Sequence, residues 1–158
     1  MVSESEIASV KSIVELLRSR PALTKQEIET RFSRYFKNAF GKMLDDGQTY
    51  GQATRAPGTA IKTTNEAEFR AHLKATDNNL AEQSRIVAEG VRHYFENGEN
   101  PAPYYAWRVA IILRKEKLYA LEADFLEAFS EKFPATIGGK YKDIAERAHT
   151  ARKLSEAG

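Results

Sequence analysis

The residues best suited to chemistry in this sequence are cations that gather in one stretch. This stretch contains Arg34, Lys37, Asn38 and Lys42, and then Arg55 and Lys62. Guanidinium and ammonium groups bind phosphate oxygens and guanine edges, and an asparagine amide matches adenine. Residues 31–62 hold six Lys or Arg against two Asp, whereas 12 basic and 13 acidic residues follow from position 76 onward. The positive charge is therefore local, in a chain whose net charge is +2; the alternative is an ordinary solvated surface.

Residues typical of catalytic and metal sites are missing or scattered. The sequence has no cysteine, and its three histidines stand on separate predicted helices. It contains no phosphate-binding loop, dinucleotide-binding glycine motif or zinc-protease motif. The acids of one predicted helix are Glu122, Asp124, Glu127 and Glu131. A solvated face explains them better than a divalent-metal site, so we expect a protein that is not an enzyme and needs no cofactor.

The local sequence around the cations predicts how they are positioned. Thr24 followed by Glu27 forms a capping box, which predicts that a short helix begins at Lys25. Ser33 is placed to cap a second helix over residues 34–46, which Gly47 would end. The Thr-rich runs on either side of the Pro-Gly pair at 57–58 predict a β-hairpin over residues 48–64.

This order of elements resembles a winged helix-turn-helix domain over roughly residues 4–75, with a first helix over residues 3–18. The resemblance implies a mainly α fold in which three helices and a β-hairpin form an N-terminal domain, residues 1–75. It makes helix 34–46 a recognition helix and the hairpin 48–64 a basic wing. It also implies binding to double-stranded DNA, and the transcriptional regulation that goes with it. The implied contacts are Thr24, Lys25, Arg34, Lys37, Asn38, Lys42, Arg55 and Lys62.

The remainder of the chain, residues 76–158, is predicted to be helical. Asn79 and Glu82 mark a helix start, and Asn97 and Gly98 mark its end. Residues 103–134 resemble one degenerate tetratricopeptide repeat, although Glu122 stands where that family has a small residue. A last helix is predicted over residues 140–157. We expect a small C-terminal bundle of such helical hairpins, serving self-association as a homodimer or partner binding.

The sequence leaves a second function open, that of a protein-interaction adaptor or inhibitor, such as a phage or mobile element would encode. In this alternative an aromatic and cationic group beside a proline-rich boundary binds the partner. The group consists of Tyr104, Tyr105, Trp107 and Arg108. The basic stretch would then face an acidic protein. No signal peptide or membrane-spanning run is visible, so we expect a cytoplasmic protein that does not enter a membrane.

Overall fold

A computed structural model describes residues 1–47 and 66–157 of the chain, and these residues are mainly helical. The helices are α1 (Glu4–Arg18), α2 (Lys25–Asp46), α3 (Glu66–Thr76), α4 (Leu80–Asn97), α5 (Pro103–Lys115), α6 (Tyr119–Lys132) and α7 (Gly139–Ala157). A short 3-10 turn, Ala135–Ile137, precedes α7.

The first helix begins where the sequence predicts. Ser3 accepts the backbone N–H of Glu6, and the Glu6 carboxylate accepts the N–H of Ser3, so the helix start is satisfied in both directions. The buried side of α1 carries Val10, Ile13 and Leu17 and packs against α4 and α6. The first helix therefore contributes to one core with helices that lie beyond residue 76. The division into domains 1–75 and 76–158 stays a prediction.

The predicted helix-turn-helix is wrong, because α2 runs without interruption for 22 residues through Ser33. The capping box at Thr24 does form, and Gly47 does end the helix in the left-handed conformation, with φ 66°. Ser33 cannot act as a cap because the residues on both sides of it are helical. Positions 28, 35, 39 and 43 all lie on the inward side of α2, so the same side of the helix faces inward before and after the site of the predicted turn.

The winged-helix fold is therefore not the fold of this chain. The described residues contain helices and no β-strand. The predicted wing over residues 48–64, with Arg55 and Lys62, lies outside the described residues. A winged helix requires a recognition helix set at an angle to a shorter preceding helix. One straight helix over Lys25–Asp46 cannot provide that arrangement.

The C-terminal half forms the helices that the sequence predicts. Asn79 caps α4 by accepting the N–H of Glu82, and Gly98 ends it with φ 75°. Successive helices α5, α6 and α7 pack on their neighbours, and α6 also packs against α1. The centre of this core is aromatic, with Phe125, Phe129 and Phe133 fully buried. The resemblance of this region to a tetratricopeptide repeat stays a prediction.

Candidate functional site

The most exposed apolar surface in the described part of the chain is a row of side chains along α2. Its members are Phe32, Phe36, Phe40 and Leu44, with 39%, 43%, 50% and 69% of their surface exposed. They are spaced by four residues, so they form one continuous ridge that winds gradually away from the inward face of the helix. We call these four side chains the apolar row.

The apolar residues of α2 divide between two sides of the helix. Ala39 is buried and Tyr35 and Met43 are partly buried, so they form the inward side of α2. The apolar row forms a second side. The sequence indicates these two sides through the width of the apolar arc. Positions 35, 39 and 43 form one series spaced by four residues, and positions 36, 40 and 44 form a second series beside it.

A third side of α2 is basic and open to solvent. Arg34, Lys37, Asn38 and Lys42, the predicted DNA contacts of this helix, are all exposed. Among the other predicted contacts, Lys25 is exposed, whereas the Thr24 hydroxyl accepts the N–H of Glu27 and so serves the helix cap. The structure therefore gathers these cations on the one helix that carries the apolar row.

The first half of α2 is held by the C-terminal end of α4. The N–H of Leu23 donates to the Tyr94 hydroxyl at 2.8 Å. Gly98 lies so close to Ile28 that a Cβ at position 98 would be 3.0 Å from the Ile28 carbonyl oxygen. The Arg31 guanidinium donates to the Phe95 carbonyl, one of the acceptors that a helix end leaves unpaired. These contacts fix where the outward sides of α2 point.

An edge-on ring contact adds to this attachment. The rings of Tyr35 and His93 lie 5.0 Å apart at an interplanar angle of 79°. His93 is 7% exposed, and both of its ring nitrogens are occupied. Nδ1 lies 2.9 Å from the Asn97 amide nitrogen and Nε2 lies 3.2 Å from the Glu99 carboxylate. These two contacts engage both sides of the imidazole, which packs between α2 and the end of α4.

The predicted partner-binding residues on α5 make internal contacts. Tyr104 donates its hydroxyl to the Asp77 carboxylate, and Arg108 donates to the Asp77 carbonyl at 2.8 and 3.1 Å. These bonds hold the turn between α3 and α4 against α5. Burial, followed by the bond to the Asp77 carboxylate, raises the pKa of Tyr104 to about 12. Tyr105 is buried, with 5% of its surface exposed.

Trp107, the fourth of these residues, is half-buried beneath cations from α7. The Lys140 ammonium lies 4.4 Å and the Arg147 guanidinium 5.1 Å from the centre of its indole ring. Cations placed over an aromatic face are attracted to it, so the indole helps to attach α7 to α5. The four side chains predicted to line a peptide groove thus hold the bundle together.

A buried ionic cluster beside Trp107 was missed by the sequence interpretation, which placed Glu122 on a solvated face. Its side chain is completely buried. Arg114 from α5 donates to one carboxylate oxygen and Arg147 from α7 donates to the other, each at 2.9 Å. Two guanidinium groups thus compensate one buried carboxylate, and this explains how a charged residue occupies a position where a small one was expected.

Two of the three remaining acids of that helix, Asp124 and Glu127, are paired with α7. Arg152 from α7 donates at 2.7 Å to both Asp124 and Glu127. These bonds engage both carboxylates. Across residues 1–47 and 66–157, no group of three His, Asp or Glu side chains could hold a metal ion. His72, His93 and His149 lie on α3, α4 and α7.

Comparisons of the chain with protein-family models, curated proteins and solved structures found no match. Among the described helices, none combines the length and apolar character needed to cross a bilayer.

Proposed function

We propose that this chain is a non-enzymatic protein-interaction module, and that it binds an amphipathic helix of an acidic partner protein along the apolar row of α2. The single observation that carries this proposal is the exposure of Phe32, Phe40 and Leu44 along one ridge of α2. A contiguous apolar patch on a soluble domain marks an interaction site far more often than single exposed apolar residues do.

The spacing of the row favours a helix as the occupant. Side chains four residues apart form the ridges that insert into the grooves of a second helix. Twelve residues separate Phe32 from Leu44, which gives a ridge of about 18 Å at the rise of an α-helix. A partner helix of three to four turns would cover it, in the manner of amphipathic helices that bind an apolar surface.

The size of the row fits this role. With aromatic side chains of roughly 200 Å² each, the exposed fractions of the four side chains correspond to an apolar patch on the order of 400 Å². One side of a standard protein interface buries about 800 Å². The row would then form the apolar centre of such an interface, and polar residues around it would form the rim.

The charge beside the row favours an acidic partner. Arg34, Lys37 and Lys42 are exposed on the same helix. Complementary charges at the rim of an interface raise the association rate and disfavour wrong partners more than they add to affinity. An acidic flank on the partner helix would meet this basic side once the apolar row is covered.

The test is a partner capture followed by quantitative binding. The tagged protein is used to capture partners from its source cells, the captured protein is identified and purified, and its affinity is measured by calorimetry. Phe40→Ala and Leu44→Ala are each expected to weaken binding at least tenfold, since central apolar anchors contribute about 2 kcal/mol or more. Both side chains are half or more exposed, so the fold should retain its stability to within about 1 kcal/mol.

The matched control is Ile137→Ala. Ile137 is an exposed apolar residue, 39% accessible, in the 3-10 turn before α7. Its truncation should leave the affinity unchanged. Equal losses for Ile137→Ala and Phe40→Ala would contradict the proposal, because the row would then have no special role. A homodimer that Phe40→Ala dissociates would also contradict it, by assigning the row to a second copy of the chain.

The basic side of α2 favours a second candidate function, binding to double-stranded DNA. Arg34, Lys37, Asn38 and Lys42 are exposed along one side of a long helix, which is a shape that fits a major groove. This candidate requires that the affinity for random duplex DNA falls steeply as the salt concentration rises. The slope of log affinity against log salt concentration should decrease by about one in Arg34→Gln or Lys37→Gln, because each variant removes one phosphate contact. Absence of DNA binding at low salt would exclude it.

A further inference from the structure

A cavity lies along the first half of α2, on the side opposite Phe32 and Phe36. It has a volume of about 570 Å³ and is lined by Gln26, Thr30 and Arg34 of α2, with Arg31, Arg20 and Glu96 around them. Residues 30 and 34 lie two positions from 32 and 36, and two residues of helix turn the direction by about 200°. The cavity therefore lies outside the apolar row, although Arg34 belongs both to its wall and to the basic side of α2.

Arg20 is placed at this cavity by an aromatic ring. Its guanidinium carbon lies 4.7 Å from the centre of the Phe95 ring. Phe95 is itself buried, with 2% of its surface exposed, so the ring is a fixed support. The ring contact places the guanidinium at the wall of the cavity, where its N–H groups can serve as donors to a ligand.

Arg31 and Glu27 balance each other at the wall of the cavity. Arg31 donates to the Phe95 carbonyl and also to the Glu27 carboxylate, the latter at 3.3 Å. The other oxygen of Glu27 accepts the N–H of Thr24 in the helix cap. Among the described residues that line the cavity, Arg20 and Arg34 are then opposed by one further acid, Glu96.

We infer that this cavity is a binding site for a phosphoryl group. Arg20 and Arg34 each offer a planar fork of N–H donors, and such forks match the oxygens of a phosphate in pairs. Thr30 and Gln26 add a hydroxyl and an amide donor. A phosphoryl group carries two negative charges and three terminal oxygens, so it can accept hydrogen bonds from both guanidinium groups and from the hydroxyl and amide donors. A carboxylate has only two oxygens and would leave some of these donors unpaired.

The experiment is a titration of the whole protein, followed by amide NMR, with inorganic phosphate, phosphoserine and AMP as probes. Sodium chloride at matched ionic strength is the reference. The expected result is a saturable shift confined to residues 20, 26–34 and 95–96 with the phosphoryl probes. Tightest binding of AMP or of phosphoserine would support the site and identify the source of the phosphoryl group as a nucleotide or as a phosphorylated side chain.

The variants test whether the cavity or the overall charge binds the probe. Arg20→Gln and Arg34→Gln are each expected to weaken phosphate binding about tenfold or more, the usual loss for a charged hydrogen bond. Glu96→Gln is expected to strengthen it by about two- to threefold. Lys42→Gln removes the same charge as Arg34→Gln from a part of α2 outside the cavity, and should leave binding unchanged.

Two results would overturn the inference. One is a response to phosphate no larger than the response to chloride, which would mean ionic screening alone. The other is an equal loss for Lys42→Gln and Arg34→Gln, which would mean a diffuse surface effect. Neither result depends on the apolar row, because Phe40→Ala should leave phosphate binding intact whether or not the partner helix exists.

Discussion

The buried carboxylate of Glu122 gives the sharpest prediction about stability. Glu122→Gln keeps the size and shape of the side chain and removes its charge. The Gln carbonyl oxygen can accept one of the two arginine N–H groups, but its amide nitrogen is a donor and would face the other guanidinium. The variant therefore loses one charged hydrogen bond outright and leaves Arg114 or Arg147 beside a donor.

The magnitude follows from the burial of the three groups. Removal of one partner from a buried ion pair costs about 3–5 kcal/mol. Glu122 is completely buried, but the side chains of Arg114 and Arg147 retain 27% and 15% exposure, so water recovers part of the loss. We expect about 3 kcal/mol of the free energy of unfolding to be lost, a large fraction of the 5–15 kcal/mol that is typical of a domain.

Urea unfolding followed by circular dichroism measures this loss directly. For a chain of this length, a loss of about 3 kcal/mol corresponds to a decrease in melting temperature on the order of 6–12 °C. A cost below about 1 kcal/mol for Glu122→Gln would refute the reasoning, since the carboxylate would then contribute no more than a surface ion pair.

Glu127→Gln is the matched control. Glu127 lies on the same helix and receives a guanidinium at 2.7 Å, but it is one-third exposed. Surface pairs contribute about 0–1 kcal/mol, so its loss should be small. A double-mutant cycle between Glu122→Gln and Arg147→Gln should give a coupling energy of about 1–3 kcal/mol, because the two groups share one network.

Three further predictions concern the backbone and one tyrosine. Gly98→Ala should destabilise the protein by about 1–3 kcal/mol and loosen α2, because residue 98 has φ 75° and a Cβ would lie 3.0 Å from the Ile28 carbonyl oxygen. Urea unfolding measures the loss of stability, and amide exchange measures the loosening of α2. Gly41→Ala should stabilise the protein by about 0.5–1 kcal/mol in thermal unfolding, since no described atom lies within 4 Å of a Cβ there. The raised pKa of Tyr104 means that folding favours the protonated phenol. Its stabilising contribution is therefore complete below about pH 10 and disappears as pH rises through about 12. Tyr104→Phe should remove one tyrosine that ionises near pH 12 from an absorbance titration.

The helix boundaries were predictable because short-range interactions determine them. The cap at Thr24 and the ends at Gly47 and Gly98 depend on residues within one turn, and each is present in the structure. The error lies at Ser33, where a residue type that suits caps was given the role of a cap. A serine lies in the interior of a helix, and not at its cap, when the residues on both sides of it continue the helix. The residues around Ser33 do so.

Which side of a helix faces the core was harder to predict, because it depends on the partner surface and not on the helix alone. The apolar arc of α2 is wider than the contact that α4 provides, so part of it is buried at Ala39 and part of it is exposed at Phe40. The same limit applies to Glu122. Its burial depends on two arginines that come from other helices, 8 and 25 residues away in sequence.

The contrast between the two ends of α2 links these packing facts to function. Near its start, Leu23, Ile28 and Arg31 are tied to α4, whereas Phe40 and Leu44 near its end are half or more exposed. An isolated helix of this length is marginal in water, so the attachment at one end helps to keep the other end ordered. A helix ordered before binding loses less conformational entropy when its partner arrives. The attachment that stabilises α2 would therefore also increase its affinity, and Gly98→Ala should weaken partner binding although residue 98 lies outside the apolar row.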